Sequence, residues 1–123
     1  MNGTKLLLDT NIVLYWLSGD RTLADLLHEK QIYLSFITEL ELLGFSKLSE
    51  YERSSIQEFL SDCKIIDINS RIKSLVINLR QTSNLKLPDS IILASAIYLD
   101  IPFVTSDSDF KKIEDVDLIY YEQ

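Results

Sequence analysis

Whatever chemistry this sequence performs has to run on carboxylates. Asp9 follows Leu6-Leu7-Leu8 with no turn residue between them, so a buried strand hands the chain directly to an acid. Glu41 stands in a helical pattern running from Thr38 to Leu48. At 100° per residue it falls roughly 140° from the polar stripe of Glu39 and Ser46, between Phe45 and Leu48 on an otherwise apolar surface. A charge there is expected to be buried and to need a metal or a basic residue opposite it. Asp89 sits in the first turn of a helix that is apolar almost all round, Pro88 to Ile97, in line with Leu93 and Ala96 on a core-facing stripe. Asp107 and Asp109 follow the apolar run Phe103-Val104-Thr105. Clustered carboxylates repel and hold their protons more tightly unless a cation neutralises them, and such hard oxygen ligands suit Mg²⁺ or Mn²⁺.

Each acid also has an ordinary structural explanation. Asp9 can cap the helix that follows, although Thr10 or Asn11 would cap it equally well. Glu41 can pair with a base at the surface. Asp89 is favourable near a helix N-terminus behind Pro88, and Asp107 or Asp109 can cap a short helix. What distinguishes them is that several come to the same edge of one expected sheet.

Other chemistries are excluded by composition. The single cysteine, Cys63, rules out an intrachain disulfide and a Cys-rich zinc centre. The single histidine, His28, lies in no motif that would serve a catalytic triad or a zinc protease. Cys63 reads as a small core residue and His28 as a surface residue at a helix end.

The elements that must position the acids follow from periodicity. Strands are expected at Leu6–Leu8, Ile32–Phe36, Lys64–Ile68, from Pro102 through Thr105, and at Leu118–Tyr121. Between them, Ile12, Tyr15 and Trp16 mark a helix ending near Ser18-Gly19, and Leu23, Leu26 and Leu27 mark a second. Further helices are expected over Thr38–Leu48, Glu52–Leu60 and Ser70–Thr82 and from Pro88, with a short helix or turn over Asp107–Lys112. Strands alternating with helices predict an α/β fold, a three-layer sandwich around a mostly parallel sheet. In such folds ligands bind beyond the carboxyl ends of the strands, where these acids fall.

With 123 residues and no linker or repeat, the chain reads as one domain over residues 1–123. No apolar run reaches the length of a membrane span, and the Met-Asn-Gly-Thr-Lys start has no signal-peptide pattern, so no membrane association and a cytoplasmic location are expected. Nineteen acids against twelve bases give a net charge of −7. Setting four acids aside as metal ligands still leaves fifteen against twelve, so any nucleic-acid contact has to use local positive charge. Arg21, Lys47, Arg53, Arg80 and Lys86 are the candidates for it, with Tyr15 or Trp16 available for stacking and Trp16 better suited to the core.

The run Leu7-Leu8-Asp9-Thr10-Asn11, then Thr38 with Glu41-Leu42-Leu43-Gly44, then Pro88-Asp89 before Ile92-Leu93-Ala94, then Val104-Thr105-Ser106-Asp107 with Phe110, resembles the PIN-domain nucleases. Within that family it looks like the VapC toxins of bacterial toxin–antitoxin pairs, over nearly the whole chain. The resemblance implies a PIN-like fold and a metal-dependent endoribonuclease. Its catalytic, metal-binding acids would be Asp9, Glu41, Asp89 and Asp107. It also implies support from Asn11, Thr38 and Thr105, with Asp107 in the main role and Asp109 in a supporting one. Only Glu41, not Glu39, meets the E-L-x-x-G pattern. The cofactor would be Mg²⁺ or Mn²⁺, one ion or two, activating water for attack on an RNA phosphodiester. The implied partners are an RNA substrate, an antitoxin protein whose segment covers the acids with a basic residue, and a second copy of the chain. Tyr15, Trp16, Leu23 and Leu27 offer an apolar surface for such contacts.

Three alternatives are weaker or share the fold. A receiver domain needs a Lys near the last strands, which Thr105-Ser106 does not supply, and an acceptor Asp after a central strand, whereas Asp67 lies inside the Ile65–Ile68 run. A haloacid-dehalogenase-like phosphatase needs a second acid where Asn11 stands. The alternative of a different functional class is a catalytically silent PIN fold that acts as a binding or interaction module.

Overall fold

The computed structural model describes residues 4–123, and the Met1-Asn2-Gly3 start lies outside them. Five strands alternate with helices: β1 Lys5–Leu8, α1 Thr10–Leu17, α2 Arg21–Leu27, β2 Gln31–Ser35, α3 Phe36–Leu43 and α4 Glu50–Ser61. They are followed by β3 Lys64–Ile66, α5 Ser70–Thr82, α6 Leu87–Leu99, β4 Phe103–Thr105, a 3₁₀ turn over Ser108–Lys112 and β5 Leu118–Tyr120. The strands pair in the order β3-β2-β1-β4-β5, every pair parallel.

Alternation along β1 builds the layers. Leu6 and Leu8 point into one core with Ile12, Val13, Leu23, Leu27, Ile56 and Leu60, whereas Leu7 points into the other with Ile72, Val76, Leu79, Leu93 and Phe103. Helices α1, α2 and α4 thus cover one face of the sheet and α5 and α6 the other, giving the α/β/α sandwich expected from the sequence. Since β1 lies between β2 and β4, the chain leaves its carboxyl end toward one side and returns on the other, which opens a crevice there.

Several boundaries differ from the sequence reading. The side chain that begins α1 is Asp9 itself, in the N-cap position, rather than Thr10 or Asn11. Strand β2 stops at Ser35, because the Ser35 hydroxyl accepts the Ile37 N–H at 3.1 Å and turns the chain straight into α3 at Phe36. Helix α3 ends at Leu43 instead of running to Leu48. Gly44 donates to the Leu40 carbonyl at 2.8 Å, and a Cβ there would sit 2.6 Å from that same oxygen, so only glycine fits. Strand β3 stops at Ile66, leaving Asp67 outside it with its carboxylate accepting the Ile68 N–H at 2.9 Å. Helix α4 begins two residues early, at Glu50, behind a reciprocal capping box between Ser49 and Glu52.

The surface expected from Tyr15, Trp16, Leu23 and Leu27 does not exist as such. Leu23 and Leu27 are buried in the core, and Trp16 is half-buried, packing edge-on against Phe59 at 5.3 Å; Leu17 and Leu26 are the exposed apolar residues of these helices. Cys63 packs half-buried against the same core, which pushes its thiol up to about 12, and His28 is exposed at the end of α2 beside Glu29. Among the described residues, no helix is long and apolar enough to cross a membrane.

Candidate functional site

The crevice at the carboxyl ends of β1 and β4 is a cleft of about 230 Å³ lined by Asp9, Thr10, Asn11, Glu41, Asp89 and Asp107, with Leu14 and Phe45 at its edge. Asp9 directly follows β1, its N–H bonded to the Val104 carbonyl of β4 at 2.9 Å. Both of its oxygens are held: Oδ1 accepts the Thr10 N–H at 2.9 Å and Oδ2 accepts the Thr105 hydroxyl at 2.7 Å. The Thr105 oxygen also accepts the Asp107 N–H at 3.1 Å, so one buried hydroxyl ties the first acid to the last.

Asp107 closes the cleft from the β4 side. Its Oδ1 accepts the Asp109 N–H at 2.9 Å and starts the 3₁₀ turn. Asp109 itself is exposed and lines a neighbouring hollow rather than the cleft. Asp89 enters half-buried from the first turn of α6, as the helix stripe predicts.

Glu41 departs from the expectation of a buried charge. It is exposed, because α3 ends two residues later at Leu43 and Glu41 therefore stands in the last turn, facing the open cleft instead of the core. Its partner is a hydroxyl rather than a base: Thr10 Oγ1 donates to Glu41 Oε1 at 2.6 Å. The same hydroxyl oxygen of Thr10 lies 2.9 Å from that of the fully buried Thr38. Thr10 is the cleft residue that sequence reasoning misses, since it reads only as a cap. The available signal was its position, the first residue after an acid that ends a central strand. Of the other residues singled out in the sequence, Asn11 lines the cleft, Thr105 bonds to Asp9 beneath it, and Thr38 reaches the acids only through Thr10.

The electrostatics are those of crowded, partly dry carboxylates. Burial pushes the Asp9 carboxyl up to about 6, against the opposing hydrogen bonds from Thr105 and Thr10 and with further upward pressure from Asp89 and Asp107. Asp89 is raised by burial, by Asp107 and by Glu41, with Lys86 acting the other way. Among the described residues no three acids are already drawn into a cation cage, although four of them share the cleft. The donor set, four carboxylates with two hydroxyls behind them, is chemically of the hard-oxygen kind that fits Mg²⁺ or Mn²⁺, which would offset the repulsion among the acids.

A parallel sheet in this order, with acids gathered at its central carboxyl ends, is the architecture of the PIN domain. The sequence matches the PIN domain family over residues 6–116, and the chain belongs to that family. It is similar to a chain in a toxin–antitoxin complex from Klebsiella pneumoniae, at 33% identity and a TM-score of 0.83 over 96% of this chain and 99% of that one. It is also similar to a chain of VapBC2 from Rickettsia felis, solved bound to a DNA fragment from its promoter, at 26% identity and a TM-score of 0.80 over 96% and 99%. VapBC-1 from nontypeable Haemophilus influenzae shares the fold at 22% identity, with a TM-score of 0.79 over 94% and 97%. No curated protein matches the chain.

Proposed function

We propose that this chain is a divalent-metal-dependent endoribonuclease and the toxin of a type II toxin–antitoxin pair. The observation that carries the reading is the convergence of Asp9, Glu41, Asp89 and Asp107, from four separate segments, on one open cleft in a PIN fold. These four would hold Mg²⁺ or Mn²⁺, with Asn11, Thr38, Thr105 and Asp109 in support. A bound ion there would supply Lewis acidity toward a phosphoryl oxygen and an acidified water.

The chain's own contribution is positional. Thr105 and the Thr10 N–H fix the two oxygens of Asp9, and the Thr10 hydroxyl turns one oxygen of Glu41 toward α1 while Glu41 faces the cleft. The backbone of Asp107 is tied to Thr105, so β4 and β1 carry their acids as one unit. No histidine or cysteine lines the cleft, so the residues present provide orientation and charge rather than a protein nucleophile. The similarity to toxin–antitoxin complexes supports an antitoxin partner, and the crowded acids of the cleft would call for a basic side chain from it. A homodimer and a cytoplasmic location belong to the same reading.

Metal titration and RNA cleavage test it together. Mn²⁺ at a hundredfold excess over its Kd is expected to stabilise the wild type by about 2.7 kcal/mol in thermal melts, with Glu41→Gln losing most of that shift. The wild type is expected to cleave an RNA pool that includes tRNA, and EDTA to stop it. A folded protein with neither metal shift nor cleavage overturns the nuclease in favour of a silent binding module.

Thr10 has its own expected effect. Thr10→Val is expected to weaken Mn²⁺ binding about 10–100-fold by calorimetry, the usual size for loss of a group that orients a ligand, while Thr10→Ser retains wild-type affinity. Equal affinities in all three proteins would show that Glu41 needs no such hold.

A further inference from the structure

An RNA strand has to reach a cleft that is itself negative, in a protein that carries a net charge of −7. Three cations stand about the α5–α6 loop. Arg80, in the last turn of α5, donates Nη1 to the Leu85 carbonyl at 2.9 Å, which holds its guanidinium over the α5–α6 loop. Lys86 occupies the N-cap position of α6 and acts electrostatically on Asp89. Lys112, an exposed cation at the end of the 3₁₀ turn, faces the same loop across a hollow of about 320 Å³. Its neighbour Lys111 is engaged elsewhere, 3.8 Å from the centre of the Tyr120 ring.

Besides Lys112, the hollow is lined by Thr82, Ser83, Asn84, Leu85, Asp109 and Ile113. It adjoins the acid cleft through Asp109, whose N–H is bonded to the Asp107 carboxylate and whose charge is felt at Asp89. The Thr82 and Ser83 hydroxyls already donate to the Asn78 and Leu79 carbonyls, at 2.9 and 2.6 Å, and Ser83 Oγ also accepts the Leu85 N–H at 3.4 Å, so what these hydroxyls have left to offer is acceptor capacity, more at Thr82 than at Ser83. Asn84 adds an amide able to donate and accept, Asp109 an acceptor, Lys112 a cation, and Leu85 and Ile113 apolar walls. Donors, acceptors, apolar surface and one cation in a space of this size match a nucleotide, whose base needs edge contacts and a flat face and whose phosphate needs a positive charge.

Resting on the nuclease reading above, we propose that this hollow seats the nucleotide flanking the scissile phosphate of a single-stranded RNA. Lys112 contacts its phosphate and Asn84 its base edge. The strand then runs from the acid cleft over the α5–α6 loop, past Arg80 and Lys86, and Asn84 contributes to the choice of cleavage sequence.

The test is steady-state cleavage of a labelled single-stranded RNA, with Mn²⁺ thermal shifts measured on the same proteins. Lys112→Gln is expected to raise KM about five- to tenfold, leave kcat within about twofold, and lower the salt dependence of kcat/KM by about 0.7 in log–log slope, the value of one single-strand phosphate contact. Asn84→Ala is expected to redistribute the cleavage sites in a random-sequence RNA. Both variants should keep the wild-type Mn²⁺ shift and melting temperature, and Lys73→Gln, on an exposed face of α5 away from the hollow, should match the wild type throughout. Wild-type KM and unchanged cleavage sites in both variants, from a wild type that cleaves RNA, would overturn the subsite alone. A wild type that binds Mn²⁺ but does not cleave RNA would overturn the nuclease reading and the subsite with it.

Discussion

Asp9→Asn is expected to act in opposite directions on activity and on stability, abolishing cleavage while raising the melting temperature of the metal-free protein. The activity loss should reach about a thousandfold, the scale seen when one electrostatic contact to a reacting centre is removed. The stability gain follows from proton linkage. Folding raises the Asp9 carboxyl from 3.8 to about 6, so between those values the folded chain binds more protons than the unfolded one. The stabilisation from protonated Asp9 is fully present below about pH 4 and is lost as pH rises through about 6.

At pH 7.5 the ionised, buried carboxylate therefore costs the metal-free fold about 3 kcal/mol, because each tenfold change in proton affinity is worth about 1.4 kcal/mol. Asparagine removes the charge but gives up part of the gain, because its amide nitrogen cannot accept the Thr105 hydroxyl as Oδ2 does at 2.7 Å. A net gain of about 1–2 kcal/mol is expected. Melting in EDTA from about pH 4.5 to 8 reads it directly. The wild type should lose stability across pH 6 relative to Asp9→Asn, and a variant less stable than wild type at about pH 7.5 would contradict the assignment of Asp9 as a strained, desolvated acid. Saturating Mn²⁺ should reverse the order, since only the wild type gains from the ion.

Phe110→Ala is expected to be the most damaging single change in the core that also reaches the cleft. Phe110 is fully buried and packs edge-to-face on Phe103, their ring centres 4.9 Å apart at 74°. Truncating a buried Phe costs about 3–5 kcal/mol through lost burial and the cavity left behind. Because Phe110 is the one buried residue of Ser108–Lys112, it pins the turn that carries Asp109 and is capped by Asp107. Urea unfolding should show the stability loss, and calorimetry under native conditions should show weakened Mn²⁺ binding. Phe110→Leu should recover much of both. A destabilised Phe110→Ala with full metal affinity would mean that the Thr105 bond alone positions Asp107.

Much of this fold is legible in local pattern. The i, i+3, i+4, i+7 spacing of Ile72, Leu75, Val76 and Leu79 predicts α5 with its boundaries intact, since burial of one helical stripe leaves a periodic trace. Helix α3 is less legible: the apolar residues Phe45 and Leu48 prolong the pattern beyond its end. The stop is set by the close approach of the Gly44 backbone to the Leu40 carbonyl. That single difference moves Glu41 from an expected buried position to an exposed one.

The sequence alone determined that acids end or follow the central strands and that helices alternate with those strands, because both are written in neighbouring residues. Only the tertiary structure decided how they meet. The order β3-β2-β1-β4-β5 places the ends of β1 and β4 side by side, so that Thr105 reaches Asp9 across 96 residues and Thr10 reaches Glu41 across 31. It also assigned Asp107 to the cleft and Asp109 to the hollow beside it. Hydrogen bonds over such separations obey no helical or strand period; they exist because the two cores fix the sheet, and the sheet fixes which strand ends are neighbours.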